Sequence, residues 1–277
     1  MRSKIKFTVV SLAAVALAGL SFAQDQAKPS APAPKRDLTG VWMLRMGGGA
    51  PPAAGAPAGG RGAGAPPAAG GPPAGGRGAG AAAGGRPRAE QAELTPWGLE
   101  RFKEAKSSNS GEYTLETTND PVVSKCMPPG VPRVYYHPFP FEILKEEKGW
   151  AMLYEYDHTI RHLYTDGRPV PTDPDITYMG TSVGHWVDDY TLVVETVGQN
   201  EKTWLDRNGR QHSDQLKVTE TFHRLDNDRL EIAVKMEDPK ALVKPWNVMF
   251  NAQLRPNWEL GEVSCAADNA NFVKFEK

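Results

Sequence analysis

Leu216-Lys217-Val218-Thr219-Glu220-Thr221-Phe222-His223 alternates in chemistry residue by residue. Leu216, Val218, Glu220 and Phe222 share one face, and Lys217, Thr219, Thr221 and His223 share the other. A period of two with one largely apolar face is the pattern of a half-buried β-strand. Asn227-Asp228 then supplies turn chemistry, and residues 229–237 read as a second strand.

The pattern extends in both directions. Strands are predicted over 139–146, 150–157, 159–165, 182–187, 191–197, 215–225, 229–237, 246–254 and 259–266, with an earlier one over 37–44. Lys148-Gly149, Asp166-Gly167, Asp188-Asp189, Asn208-Gly209 and Pro256-Asn257 mark further breaks. Short links between consecutive strands imply an antiparallel meander. No βαβ alternation appears, which argues against a parallel sheet. About ten strands, the first pairing back on the rest, predict a mainly β chain that closes into a barrel and so removes its exposed edges. A two-sheet sandwich is the alternative.

One helix flanks the meander, over 94–106. Thr95 is a good N-cap, Pro96 suits the first helical position, and Leu94 and Leu99 fall where a hydrophobic staple would form. Around Cys126, six prolines between Pro121 and Pro140 favour an extended path. Residues 47–87 are a Gly/Pro/Ala tract with an imperfect internal repeat. Such residues bury too little apolar surface to offset their ordering entropy, so a disordered insertion within a single domain (37–277) is expected. Long loops add little closure entropy, which makes an insertion there tolerable.

The N-terminus reads as an export signal over 1–23. Arg2, Lys4 and Lys6 precede an apolar run, and Ser21-Phe22-Ala23 is a small-x-small cleavage pattern. A flexible leader, 24–36, follows. Periplasm or extracellular space is the expected address. No later stretch is long and apolar enough for a spanning helix. Cleavage would remove three of the 32 Lys and Arg and none of the 33 Asp and Glu, leaving 29 against 33. Four of those arginines, Arg61, Arg77, Arg86 and Arg88, lie in or beside the Gly/Pro/Ala tract. An acidic body without a Lys/Arg cluster excludes nucleic acid as a natural partner. Cys126 and Cys265 are the two cysteines, and in an exported chain they are expected to form one disulfide.

Glu220 is the sharpest anomaly, a carboxylate on the apolar face of its strand. Burying it unpaired is expensive, so it is read either as an anchor or acid/base group in a cavity, or as half of an ion pair with Arg161, Arg133 or Lys244. Glu195 is a weaker case of the same kind; were it to face Glu220, one of the two would hold a proton near neutral pH. The loop 204–214 offers His212 as a base, oriented by Asp206 and with Ser213 beside it, or else a set of turn-capping side chains. Tyr154, Trp186 and Trp204 are candidate walls of a ligand cavity. The spacing of His158, His162, His185 and His212 does not make a convincing zinc set. No Walker loop, dinucleotide fingerprint or HExxH occurs, and no cofactor is implied.

Gly40-Val41-Trp42 resembles the Gly-x-Trp signature of lipocalin-like barrels, in which the Trp plugs one end. A second resemblance covers most of the chain after residue 23. Leu94-Thr95-Pro96-Trp97, Pro128-Pro129-Gly130-Val131-Pro132-Arg133, Tyr164-Thr165-Asp166-Gly167-Arg168, the run Thr191 to Gly198, Thr203-Trp204-Leu205-Asp206 and Lys244-Pro245-Trp246 are similar to motifs of an abundant, uncharacterised family of exported bacterial proteins. That resemblance implies relatives and no activity.

The expected function is therefore a monomeric or weakly associated, exported barrel that binds a small, partly apolar ligand through Glu220, Glu195, Arg161, Tyr154, Trp186, Trp204 and His212. Two alternatives stand beside it. One is a periplasmic hydrolase, lyase or isomerase using Glu220 and His212. The other is an envelope scaffold that reaches a partner through its Gly/Pro/Ala tract.

Overall fold

The computed structural model describes residues 30–45 and 91–265. The predicted signal (1–23), the first part of the leader (24–29) and the insertion (47–87) lie outside the described residues. Nine strands form a closed barrel in sequence order. They are β1 (Gly40–Leu44), β2 (Phe141–Glu146), β3 (Gly149–Tyr154), β4 (Ile160–Tyr164), β5 (Thr181–Trp186), β6 (Thr191–Val197), β7 (Lys217–Arg224), β8 (Arg229–Glu237) and β9 (Trp246–Leu254). β1 closes the ring by pairing with both β2 and β9.

Every pair is antiparallel except β4 with β5. The exception is a matter of parity. Each antiparallel contact reverses chain direction, and a full circuit must return to the starting direction. A ring of nine strands has nine contacts, so at least one must be parallel. The chain places that contact where it has the slack. Residues 165–180, carrying Pro169, Pro171 and Pro174, form a link far longer than a hairpin turn and return the chain to the end from which β4 began. Only two register pairs join this seam, Leu163 with Ser182 and Tyr164 with Val183.

The tenth predicted strand, 259–266, does not form over its described residues, 259–265. Val263 makes one isolated bridge to Tyr156. The physical reason is closure: β1 already occupies the edge of β9 on which a further strand would add.

Inward positions alternate along the strands and build one core. Trp42, Phe141, Ile143, Met152, Leu163, Leu192, Val218, Phe222 and Ile232 are all buried within it. Fully burying such a side chain stabilises a fold by roughly 1.5–3 kcal/mol. Trp42 is wholly buried in the core, and its Nε1–H donates to Leu38 O at 2.9 Å. The Arg224 guanidinium lies 5.1 Å from the Trp42 ring centroid. Elsewhere a short 3-10 turn, Arg133–Tyr136, carries Tyr135 into the core. Its ring sits 5.3 Å from Phe250, 6.2 Å from Phe141 and 6.3 Å from Tyr154, centroid to centroid.

The flanking helix is α1 (Pro96–Glu104), with Thr95 accepting from Gly98 N–H at 3.1 Å as its cap. The staple does not form. Leu99 is exposed, while Leu94 bridges to Leu242 instead. The helix docks through close backbone approach: a Cβ on Gly98 would lie 2.3 Å from Ala241 O. A second, one-turn helix, α2 (Pro121–Ser124), precedes Cys126. Cys126 and Cys265 form a disulfide. The second part of the leader lies against the barrel, since Asn227 N–H donates to Ala31 O at 2.8 Å and Arg36 N–H to Asp189 O at 2.6 Å. Among the described residues no helix is long and apolar enough to cross a membrane.

β3 and β4 are joined by a tight turn over 156–159, in which Asp157 (φ 53°) and His158 (φ 49°) both adopt the left-handed conformation. Thr159 N–H donates to Tyr156 O at 3.4 Å, closing the turn. Two consecutive positive φ values define the type I′ hairpin turn, which favours Asn-Gly. Asp and His tolerate the region better than most residues but still hold a conformation that costs L-residues about 1–2 kcal/mol each.

Candidate functional site

Glu220 points into the barrel, as the alternation of its strand requires, and is completely buried. It is also fully paired. Arg161, on β4, meets it through both terminal nitrogens, Nη1 to Oε1 at 3.0 Å and Nη2 to Oε2 in closer contact. Tyr135 Oη–H donates to Glu220 Oε1 at 2.6 Å and accepts from Arg161 Nη1 at 3.2 Å. Arg161 Nε–H donates to Ser182 Oγ at 3.0 Å and Nη2–H to Thr196 Oγ1 at 2.8 Å. All five N–H groups of the guanidinium thus have acceptors inside the barrel. Burial alone works against the charge on Arg161, but the Glu220 carboxylate beside it raises its pKa. Burial, reinforced by Glu220, drives the Tyr135 hydroxyl well above its usual value. Tyr154 is pushed up to about 12, mainly by burial.

Glu195 sits on the outer face of β6. It pairs with Lys217 and opposes Thr219 in register, so it does not meet Glu220, which opposes Val194. His212 is buried. Its Nδ1–H donates to Ser213 O at 2.9 Å, which leaves Nε2 to accept from Thr203 Oγ1–H at 2.6 Å. Burial lowers the His212 pKa, in keeping with a neutral ring. Asp206 does not orient it. Its carboxylate accepts from Asn208 N–H at 2.9 Å and Arg210 N–H at 3.2 Å and pairs with the Arg210 guanidinium. Ser213 is tied by N–H and Oγ to Asp238, at 2.6 and 2.8 Å. Glu220 and His212 therefore have separate sets of hydrogen-bond partners. Trp204 carries the Arg133 guanidinium 5.2 Å from its ring centroid, and Trp186 packs edge-on against Trp150 at 6.0 Å.

Arg133 and Lys244, the other possible partners for Glu220, are engaged elsewhere. Arg133 pairs with Asp120, also buried, and Lys244 with Glu93.

A cleft of about 450 Å³ opens over the β4–β5 seam. Register pairing between the two strands stops at Leu163 and Ser182, and the cleft occupies the gap before it. Arg161 and Ser182, both buried, contribute to its lining from the barrel side. Tyr164, Tyr178 and Met179 add apolar surface, and Asp157, His158, Ile160 and His162 border it. Of the residues expected to hold a ligand, Arg161 lines this cleft; Glu220, Glu195, Tyr154, Trp186, Trp204 and His212 do not.

Alternation along single strands could not reveal this site, because it lies where two strands fail to pair. One signal was present in the sequence: the proline-rich link 165–180 is too long for a hairpin, so its strands need not be antiparallel. Tyr135, which completes the Glu220 network, gave no sign of its role in a segment read only as extended.

Among the described residues no group of three or more His, Cys, Asp or Glu is placed to hold a metal ion. Comparison with protein families, with curated proteins and with solved structures finds no match for this chain.

Proposed function

We propose that the protein is an exported barrel that binds a small, partly apolar molecule in the cleft over the β4–β5 seam. One observation carries the reading: a cleft of about 450 Å³ with mixed polar and apolar lining, backed by a fixed ion pair. That volume lies in the range of small-molecule sites, roughly 300–1,000 Å³. Arg161 has no N–H group left for a ligand, so its part is to hold the wall rigid. Direct contacts fall to the rim and to the aromatic rings. The export part of the reading is supported by the signal-like N-terminus, by the resemblance to exported bacterial proteins and by the compartment in which disulfides persist.

The test is ligand release. Freshly purified residues 24–277 are denatured and the released small molecules identified by mass spectrometry, beside a Thr181→Trp variant that fills the cleft. A defined compound present with the wild-type chain and absent with the variant is the expected result. Equal recovery from both would move the site elsewhere. A blank from the wild type, together with no cleft-dependent hit in a fragment screen, would remove the binding reading.

A further inference from the structure

The turn between β3 and β4 is held more firmly than a hairpin needs. Asp157 and His158 occupy left-handed positions that a type I′ turn would fill best with Asn and Gly. The His158 side chain is exposed, so burial does not explain a histidine there. Yet the turn is fastened from outside. Asp157 N–H donates to Val263 O at 3.1 Å, and Tyr156 bridges to Val263. Gly261 N–H donates to Glu155 Oε2 at 2.7 Å, and Tyr156 Oη–H to Val122 O at 3.3 Å. Val263 lies two residues before Cys265, whose disulfide to Cys126 fixes this C-terminal strap beside α2. Unfavourable backbone conformations persist where the surroundings over-determine them, and they cluster at ligand-binding sites. This one borders the cleft: Asp157, His158, Thr159 and Ile160 all line it.

We infer that the Asp157–His158 turn is a preorganised recognition element of the cleft, with the His158 imidazole as its specificity-determining contact. The inference rests on the proposed binding reading and deepens it. An imidazole offers one nitrogen as donor and one as acceptor, and beside it Ile160 and Met179 present apolar surface. The ligand class is then a compact molecule with a hydroxyl, carbonyl or carboxylate head at the rim and an apolar body within the cleft. The strap fixes the turn before the ligand arrives, so little ordering cost is left for binding.

The experiment is a ligand-observed NMR screen of full-length mature protein against small aromatic and alicyclic alcohols, amides and acids. Hits lost in Thr181→Trp define cleft binders. These are then titrated against His158→Gly and His158→Asn. The expected result is a Kd at least tenfold weaker in His158→Gly, while its melting temperature is unchanged or higher. His158→Asn, which keeps the turn and a shorter polar group, should fall between the two. Cleft binders whose Kd in His158→Gly stays within twofold of wild type would overturn this inference and leave the binding reading standing. A screen with no binder sensitive to Thr181→Trp would overturn both.

Discussion

Arg161 and Glu220 stand on β4 and β7, strands that are not neighbours in the ring, so their ion pair crosses the barrel interior. Tyr135 joins the pair from a third direction, off the turn that enters the core. A sheet hydrogen bond fixes two adjacent strands. This contact fixes two arcs of the barrel and the inserted turn together.

Breaking that brace on one side is expected to be severe. Glu220→Ala leaves a buried, uncompensated guanidinium and should cost about 3–5 kcal/mol. The concerted replacement Arg161→Met/Glu220→Leu/Tyr135→Phe removes the charges together. It should fold with stability within about 2 kcal/mol of wild type, or above it. Urea titration of the two variants checks this; equal losses in both would mean that the pair is stabilising in its own right.

Acid should weaken the fold through its buried histidines. His137 stacks on Tyr156 at 4.6 Å, and its Nε2 is buried without a hydrogen-bond partner among the described residues. Burial, with Arg133 and Arg207 adding to it, pushes its pKa down to about 3. The unfolded chain takes up this proton near pH 6.5 and the folded one near 3. Stability is therefore whole above pH 6.5 and drains as pH falls towards 3, by up to about 1.4 kcal/mol per pH unit. His212, lowered by its burial, acts in the same direction. His137→Phe keeps the ring stack and should flatten the slope in a pH series of thermal melts. An unchanged slope would acquit His137.

Gly98→Ala tests how α1 is docked. In a free helix the change favours helix by about 1 kcal/mol. Here the added methyl would lie 2.3 Å from Ala241 O, so α1 must shift or detach. We expect a net loss of stability despite the better propensity, with proteolysis newly admitted near residues 91–106. A gain in melting temperature would show that the 238–242 turn yields easily.

Replacing both cysteines, Cys126→Ser/Cys265→Ser, opens a loop with a sequence separation of 139 residues. Chain entropy sets the loss at up to about 4–5 kcal/mol, often less in practice. The local effect is more diagnostic. With the strap released, the Asp157 amide should exchange with deuterium faster than amides at the centre of β7. Parallel changes at both places would mean that the disulfide stabilises the barrel as a whole and not the turn.

Most of the barrel was legible because alternation reports which side of a strand is buried, and Glu220 stood out for that reason. What alternation cannot report is which strands meet. Glu195 has mostly apolar neighbours on both faces of its strand, and only the register placed it outside. The tenth strand illustrates the same limit. Residues 259–266 have strand-like composition, but a place in a sheet depends on a free edge, and β1 had taken it. The loss mattered beyond its own residues. Ten strands can close with every pair antiparallel, and nine cannot. His212 was offered as a base because loops usually run over the surface and carry function; this loop instead folds inward around Thr203 and Asp238.

The parallel seam also has a mechanical meaning. β1–β4 and β5–β9 are two continuous antiparallel arcs, and they meet at two joints. At one joint β1 and β9 share three register pairs; at the other β4 and β5 share two. The second joint is the natural hinge of the ring. Thermal motion should part the arcs there first, widening the cleft while the Arg161–Glu220 contact, which links one arc to the other, limits how far they travel.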